Sequence, residues 1–315
     1  MKNFLKIYML LSAMLILASC TQTEESHKKQ ETESIVTSFE HPETKQKYKI
    51  VHAYKLYDNY QEQVESSNGK QSKREIYKEE VIEPIFSDCF ENGEYIHMAD
   101  DALYVAPEQL TDNQLLSEKI NREETEKLIK EALFKSSDLI PSDIETTVCV
   151  LPATNVNASM VTVGAGKIIV LYNKDYTENH LRFDTAHEYH HSIWAEKKYG
   201  SGDEDFTVLD NMVLEGKAVM FNKLVYPDYY DDMLFSAYDS ENWSKVVGDL
   251  DSTNIRRSLE INFGGGELPY SYGYSEGYKM VKSYLDLHPN VTPEEWTALS
   301  AKEIFEGGNY LEHYQ

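Results

Sequence analysis

The chain has 315 residues and carries 54 Asp and Glu against 30 Lys and Arg, a net charge of −24. So acidic a surface repels phosphate backbones and anionic headgroups, which argues against nucleic-acid binding and against an electrostatic grip on lipid. A composition that is 41% hydrophobic, with 23 tyrosines, supports a folded core in the roughly 280 residues beyond the leader, enough for one large domain or two fused lobes.

The leader comes first. Lys2 and Lys6 give a basic start, and Phe4 to Leu17 is mostly apolar but short for a transmembrane helix. The segment ends Leu17-Ala18-Ser19-Cys20, which resembles a bacterial lipobox. That resemblance implies a signal peptide over 1–20, lipidation of Cys20, and a protein anchored by acyl chains to the outer side of a cell membrane without spanning it. An uncleaved signal anchor and a plain secretory signal are the competing readings. From Thr21 the chain is polar and charged, with no apolar periodicity, and 21–38 reads as a disordered tether.

Residues 39–315 are expected to form the folded domain, with 39–140 as a helical N-terminal part. Tyr54, Tyr57, Tyr60 and Val64 suggest a helix across Tyr48 to Val64. A second helix spans Arg74 to Phe90, where Pro84 is expected to kink or break it. A third runs from Glu123 to Lys135 behind Asn121 as a cap. With Cys20 acylated, Cys89 and Cys149 remain as a possible disulfide pair, though nothing in the sequence shows that they meet.

The period then changes. Thr146 to Leu151, Met160 to Val163 and Lys167 to Leu171 read as strands, the last two joined by Gly164-Ala165-Gly166. A small sheet is thus expected just before the stretch His187-Glu188-Tyr189-His190-His191, which reads H-E-x-x-H. On a helix the residues at i and i+4 share one face, so His187 and His191 can grip one ion, and zinc accepts imidazole nitrogen readily. Glu188, one position on, can reach a water at that ion without ligating it, which makes it the candidate general base of a hydrolase. A helix whose polar face merely carries three histidines is the bland alternative. The helix is expected to start at Thr177 or Asn179 and to stop by Gly200, with an apolar side from Phe183, Ala186, Ile193 and Trp194.

A catalytic zinc takes a third protein ligand and keeps one position open. The next helix, about Phe206 to Val225, is ended by Pro227 and holds Glu215 among apolar neighbours, where an unpaired carboxylate is costly. Gly216 beside it permits close approach of another backbone. Asp210 and Glu196 are rival carboxylates, and His190, at i+3 from His187, is a rival imidazole.

Three segments in order, His187-Glu188-Tyr189-His190-His191, Leu214-Glu215-Gly216-Lys217-Ala218 and Gly273-Tyr274-Ser275-Glu276-Gly277-Tyr278, resemble the predicted zinc-dependent proteases classed as a domain of unknown function. Those belong with the gluzincin-type metallopeptidases, and the resemblance spans about Ile76 to the C-terminus. It implies an α+β, mostly helical zincin-like fold with a small sheet before the motif helix, Zn2+ held by His187, His191 and Glu215, and Glu188 as base. It also points to Tyr274 as the oxyanion donor, against a purely packing role in a Gly-Tyr-rich corner. One position departs from the thermolysin pattern: Val219 stands where an acidic residue would brace a ligand histidine.

After the sheet and metal helices (141–225), residues 226–315 read as a helical C-terminal part: Asp228 to Tyr238, Ser240 to Leu250, Ser252 to Phe263, a helix from the Pro269–Tyr274 stretch to His288, then Thr292 to Leu299 and Lys302 to Phe305. The expected activity is zinc-dependent hydrolysis of a protein or peptide substrate. A non-catalytic binding lipoprotein on the same scaffold, and a metal-dependent hydrolase of an ester or cell-wall amide, are the alternatives.

Overall fold

A computed structural model describes residues 34–154, 159–197, 206–228 and 234–315. Cys20 and the rest of the leader lie outside these residues. The unit Ile35–Gln315 is α+β, mostly helical, around one five-stranded mixed sheet.

Strands β1 (Val36–Glu40) and β2 (Lys47–Val51) open the unit as an antiparallel pair, with Val36 opposite Val51. This corrects two expectations. Residues 36–38, assigned to the tether, begin a strand, and the helix expected from Tyr48 starts only with α1 (Tyr57–Ser67). The tyrosine spacing that suggested helix holds from Tyr57 onward. Before it, Tyr48 and Ile50 alternate with Lys49, a period of two.

Next come α2 (Lys73–Tyr77), capped by Ser72, one π-helical turn over Lys78–Ile82, and α3 (Glu83–Cys89). The expected break at Pro84 is absorbed by that π-turn: the proline sits in the first turn of α3, where its missing N–H costs least. Two helices that hydrophobic pattern did not reveal follow, α4 (Asp100–Tyr104) and α5 (Leu110–Lys119). The long α6 (Arg122–Leu139) is capped by the Asn121 side chain, which accepts from Glu124 N at 3.1 Å.

Strands β3 (Thr146–Pro152), β4 (Met160–Gly164) and β5 (Lys167–Tyr172) complete the sheet in the order β1-β2-β3-β5-β4. The β2–β3 and β3–β5 pairs are parallel, and the outer pairs antiparallel. Every residue of β3 is buried, because apolar layers cover both faces. Tyr48, Ile50, Val148, Val150, Ile168 and Val170 face one core, shared with α6, α7 (Glu178–Glu196) and α8 (Val208–Val225). Val51, Cys149, Leu151, Ile169 and Leu171 face the other, shared with α1 to α4. On that side Cys89 of α3 and Cys149 of β3 form a disulfide, with Cα atoms 6.0 Å apart.

The C-terminal part is helical: α9 (Ser240–Ser244), α10 (Ile255–Phe263), α11 (Tyr272–Leu287), α12 (Pro293–Ala298) and α13 (Ala301–Gly307). Thr292 and Ser300 close capping boxes with Glu295 and Glu303 at the starts of α12 and α13. The helix expected over Asp228–Tyr238 is absent from 234–238, which is irregular; residues 229–233 lie outside the described set. Among the described residues no helix is long and apolar enough to cross a membrane.

Candidate metal centre

Helix α7 starts where Thr177 Oγ1 accepts from His180 N, and its apolar side, Leu181, Ala186, Tyr189 and Ile193, enters the core. That fixes the rotation of the helix and turns His187 and His191 toward α8. Helix α8 starts with Thr207 capped by Asp210 and buries Met212, Val213 and Phe221 in the same core. Glu215 then projects between the two imidazoles.

The three side chains converge. His187 Nε2 and His191 Nε2 are 3.0 Å apart, and Glu215 Oε2 lies 3.2 Å from the first and 3.3 Å from the second. Zinc bonds of 2.0–2.1 Å in tetrahedral geometry place neighbouring ligand atoms about 3.3 Å apart. Two imidazole nitrogens and one carboxylate oxygen at that spacing suit zinc in both geometry and donor type. An oxygen of Glu188 is within 4.8 Å of a ring nitrogen of each histidine, so two carboxylates flank the pair. Glu215 hydrogen-bonds both rings, whereas Glu188 influences them only through space, so either carboxylate could complete a metal site with the two histidines and Glu215 is the one in direct contact with them.

Charge follows the same geometry. Burial alone would raise the Glu215 carboxyl, but His191 and His187 outweigh it and hold the group well below the usual carboxylate range. Burial would lower His191, and the facing Glu215 raises it overall. Glu188 is raised by burial, only partly offset by His191, His187 and Thr162. Its backbone carbonyl accepts from Thr162 Oγ1 at 2.8 Å, tying α7 to β4. Tyr274, at the start of α11, lies with its ring 6.1 Å from that of His187. Burial first, then the Glu215 and Glu188 carboxylates, push its hydroxyl well above the ordinary tyrosine range.

The rivals are occupied elsewhere. Asp210 accepts from Thr207 N and Oγ1 at the cap of α8. Glu196 accepts from Ser142 Oγ and Asp143 N. His190 is fully buried, stacks on Trp296, and its Nε2 is 3.1 Å from Thr297 Oγ1. Val219 is buried and apolar, so it supplies no brace to a histidine.

Gly216 does what its lack of a side chain suggested, and its partner is Gly277, which local sequence pattern did not single out. A Cβ on Gly216 would lie 2.0 Å from Gly277 C, and one on Gly277 would lie 1.8 Å from Met212 O. The backbones of α8 and α11 touch here, one turn from Tyr274 and one residue from Glu215. Thr162 was likewise missed: nothing local marks a strand hydroxyl that reaches a helix carbonyl 26 positions away.

Residues 125–306, more than half of the chain, match the family described as "Predicted Zn-dependent protease (DUF2268)". The match is narrower at its N-terminal end than the span from Ile76 suggested by resemblance. Comparisons with curated proteins and with solved structures give no match. The chain belongs to that family of predicted zinc-dependent proteases.

Proposed function

We propose that this family member hydrolyses peptide bonds in protein or peptide substrates, with Zn2+ held by His187, His191 and Glu215. The observation that carries the reading is the triangle of two nitrogens and one carboxylate oxygen with 3.0–3.3 Å edges, beside a buried second carboxyl. Zinc bound there would supply Lewis acidity, making water more acidic and polarising the scissile carbonyl.

Glu188 takes a proton from water as the water oxygen attacks the carbonyl carbon. It then delivers that proton to the amine nitrogen as the C–N bond breaks. Its burial suits both steps, since a raised carboxyl pKa narrows the gap to working pH. Tyr274, held protonated by its surroundings, donates to the carbonyl oxygen as negative charge develops there. β4 ends the sheet. Its Val163 carbonyl is taken by Tyr95 N at 2.9 Å, which leaves the Met160–Thr162 stretch to pair with an extended substrate backbone.

The same reading puts the protein outside the cell, tethered by lipid on Cys20. The lipobox-like leader supports this, and so does the Cys89–Cys149 disulfide, since such bonds persist in oxidising compartments.

Glu188→Gln tests the chemistry. It keeps size and hydrogen bonding but removes the proton acceptor. Zinc content should stay near that of the wild type, while cleavage of a generic protein substrate falls by about 10²–10⁴-fold. Unchanged turnover would reject the mechanism. No wild-type turnover across peptides, esters and muropeptides would favour a binding protein.

A further inference from the structure

Helix α10 turns Ser258, Ile261 and Asn262 into the protein and leaves Ile255, Leu259 and Phe263 outside. These three are 62%, 49% and 52% exposed and recur at i, i+4 and i+8, so they form one apolar stripe along the helix. A single exposed hydrophobic side chain is ordinary, whereas an aligned set marks a surface that something covers. Beside the stripe, Arg257 is consumed by Asp249 at 2.8 Å and Glu260 at 3.0 Å.

The stripe runs into the metal centre. The Phe263 ring lies 6.0 Å from that of Tyr274, which lies 6.1 Å from that of His187. Spacing suggests what covers it. Residues four apart on a helix step about 6 Å along its axis. Side chains on one face of an extended chain step about 6.7 Å. Over three side chains the two repeats differ by little more than 1 Å, so an extended peptide can lay alternate residues against Phe263, Leu259 and Ile255 in turn.

We propose that this face of α10 is the substrate-selecting platform of the enzyme, binding extended peptides whose alternate residues to one side of the scissile bond are large and apolar. The inference rests on the peptidase reading for its meaning, and its test is independent of turnover.

The test uses zinc-loaded Glu188→Gln protein and two fluorescein-labelled decapeptides, one with leucine and one with serine at alternate positions, read by fluorescence anisotropy. Leu259→Glu and Ile255→Glu are added singly; both sites are exposed, so the fold is kept. The leucine peptide should bind about tenfold or more tightly than the serine peptide, and each added carboxylate should remove that preference. Equal affinity for the two peptides, or a preference that survives both substitutions, overturns the proposal. So does a Leu259→Glu change that turns a dimer into a monomer by light scattering. Loss of phosphatidylglycerol-vesicle binding by the anchorless protein would overturn it too, since a second copy or a membrane would then be the occupant. Preferential binding without any wild-type cleavage would reject the hydrolase and keep the platform. Wild-type cleavage with no peptide preference would do the reverse.

Discussion

Replacing Gly277 by alanine places a methyl carbon 1.8 Å from the Met212 carbonyl oxygen and 3.1 Å from Gly216 Cα. Carbon and oxygen ordinarily approach to about 3.3 Å, so the shortfall is about 1.5 Å. The obstacle is helix backbone, and no side chain can swing aside to relieve it. Helix α11 must move off α8 by an ångström or more. Overpacking of this kind costs about 1–3 kcal/mol, and a backbone clash belongs at the upper end. For a domain of this size that is a fall in Tm of about 5 °C. Tyr274 sits on the displaced helix, and a misplacement of about 1 Å in a reacting constellation costs about 100-fold in rate. His187 and His191 lie on α7 and Glu215 on α8, the helix that stays in place as α11 moves off it, so zinc should be retained. Differential scanning calorimetry, elemental analysis and kinetics on one preparation read all three. Gly248→Ala is the control, since nothing lies within 4 Å of its added methyl. A Gly277→Ala protein as stable and as active as the Gly248→Ala protein would refute the claim that this crossing sets the site.

Reduction, or Cys89→Ser with Cys149→Ser, opens a loop closed over a separation of 60 residues; chain entropy puts the loss near 4 kcal/mol, read as a lower denaturant midpoint. Lys217 donates to Thr297 O at 3.0 Å and to Leu299 O, and burial lowers its pKa to about 7. The unfolded chain therefore holds this proton up to about pH 10.5 while the folded chain releases it above about pH 7. The stability of the wild type relative to Lys217→Met should rise with pH across that window, by up to about 1.4 kcal/mol per unit; parallel pH profiles in urea melts would contradict this. Cys20→Ala should stop palmitate incorporation and release the protein from membranes, and label still entering the variant would sink the anchor.

The approach of His187 to His191 was legible because its information is local. The i, i+4 spacing of His187 and His191 fixes their common face whatever surrounds the helix. Glu215 was legible for a related reason, a carboxylate within an apolar helical run. The three strands β3, β4 and β5 announced themselves by β-branched runs between turn residues. Strand β2 did not, because Tyr54, Tyr57 and Tyr60 extend a helical pattern backwards over a five-residue strand. Strand β1 was hidden because Val36 to Glu40 is polar enough to pass as linker, and its order comes from pairing with β2. What stayed illegible is non-local: the Cys89–Cys149 contact, the meeting of Gly216 with Gly277, and the Phe263–Tyr274 contact that joins α10 to the centre. Each depends on two elements distant in the chain arriving at one place, which periodicity does not encode.

The central claim is that His187, His191 and Glu215 hold one zinc ion. Anomalous scattering above and below the zinc edge, from crystals of zinc-loaded protein, tests it most directly. A single peak bonded to His187 Nε2, His191 Nε2 and a Glu215 oxygen at about 2.0–2.2 Å is the predicted result. No peak there, or a peak ligated by His190, Glu196 or Asp210 instead, would contradict it.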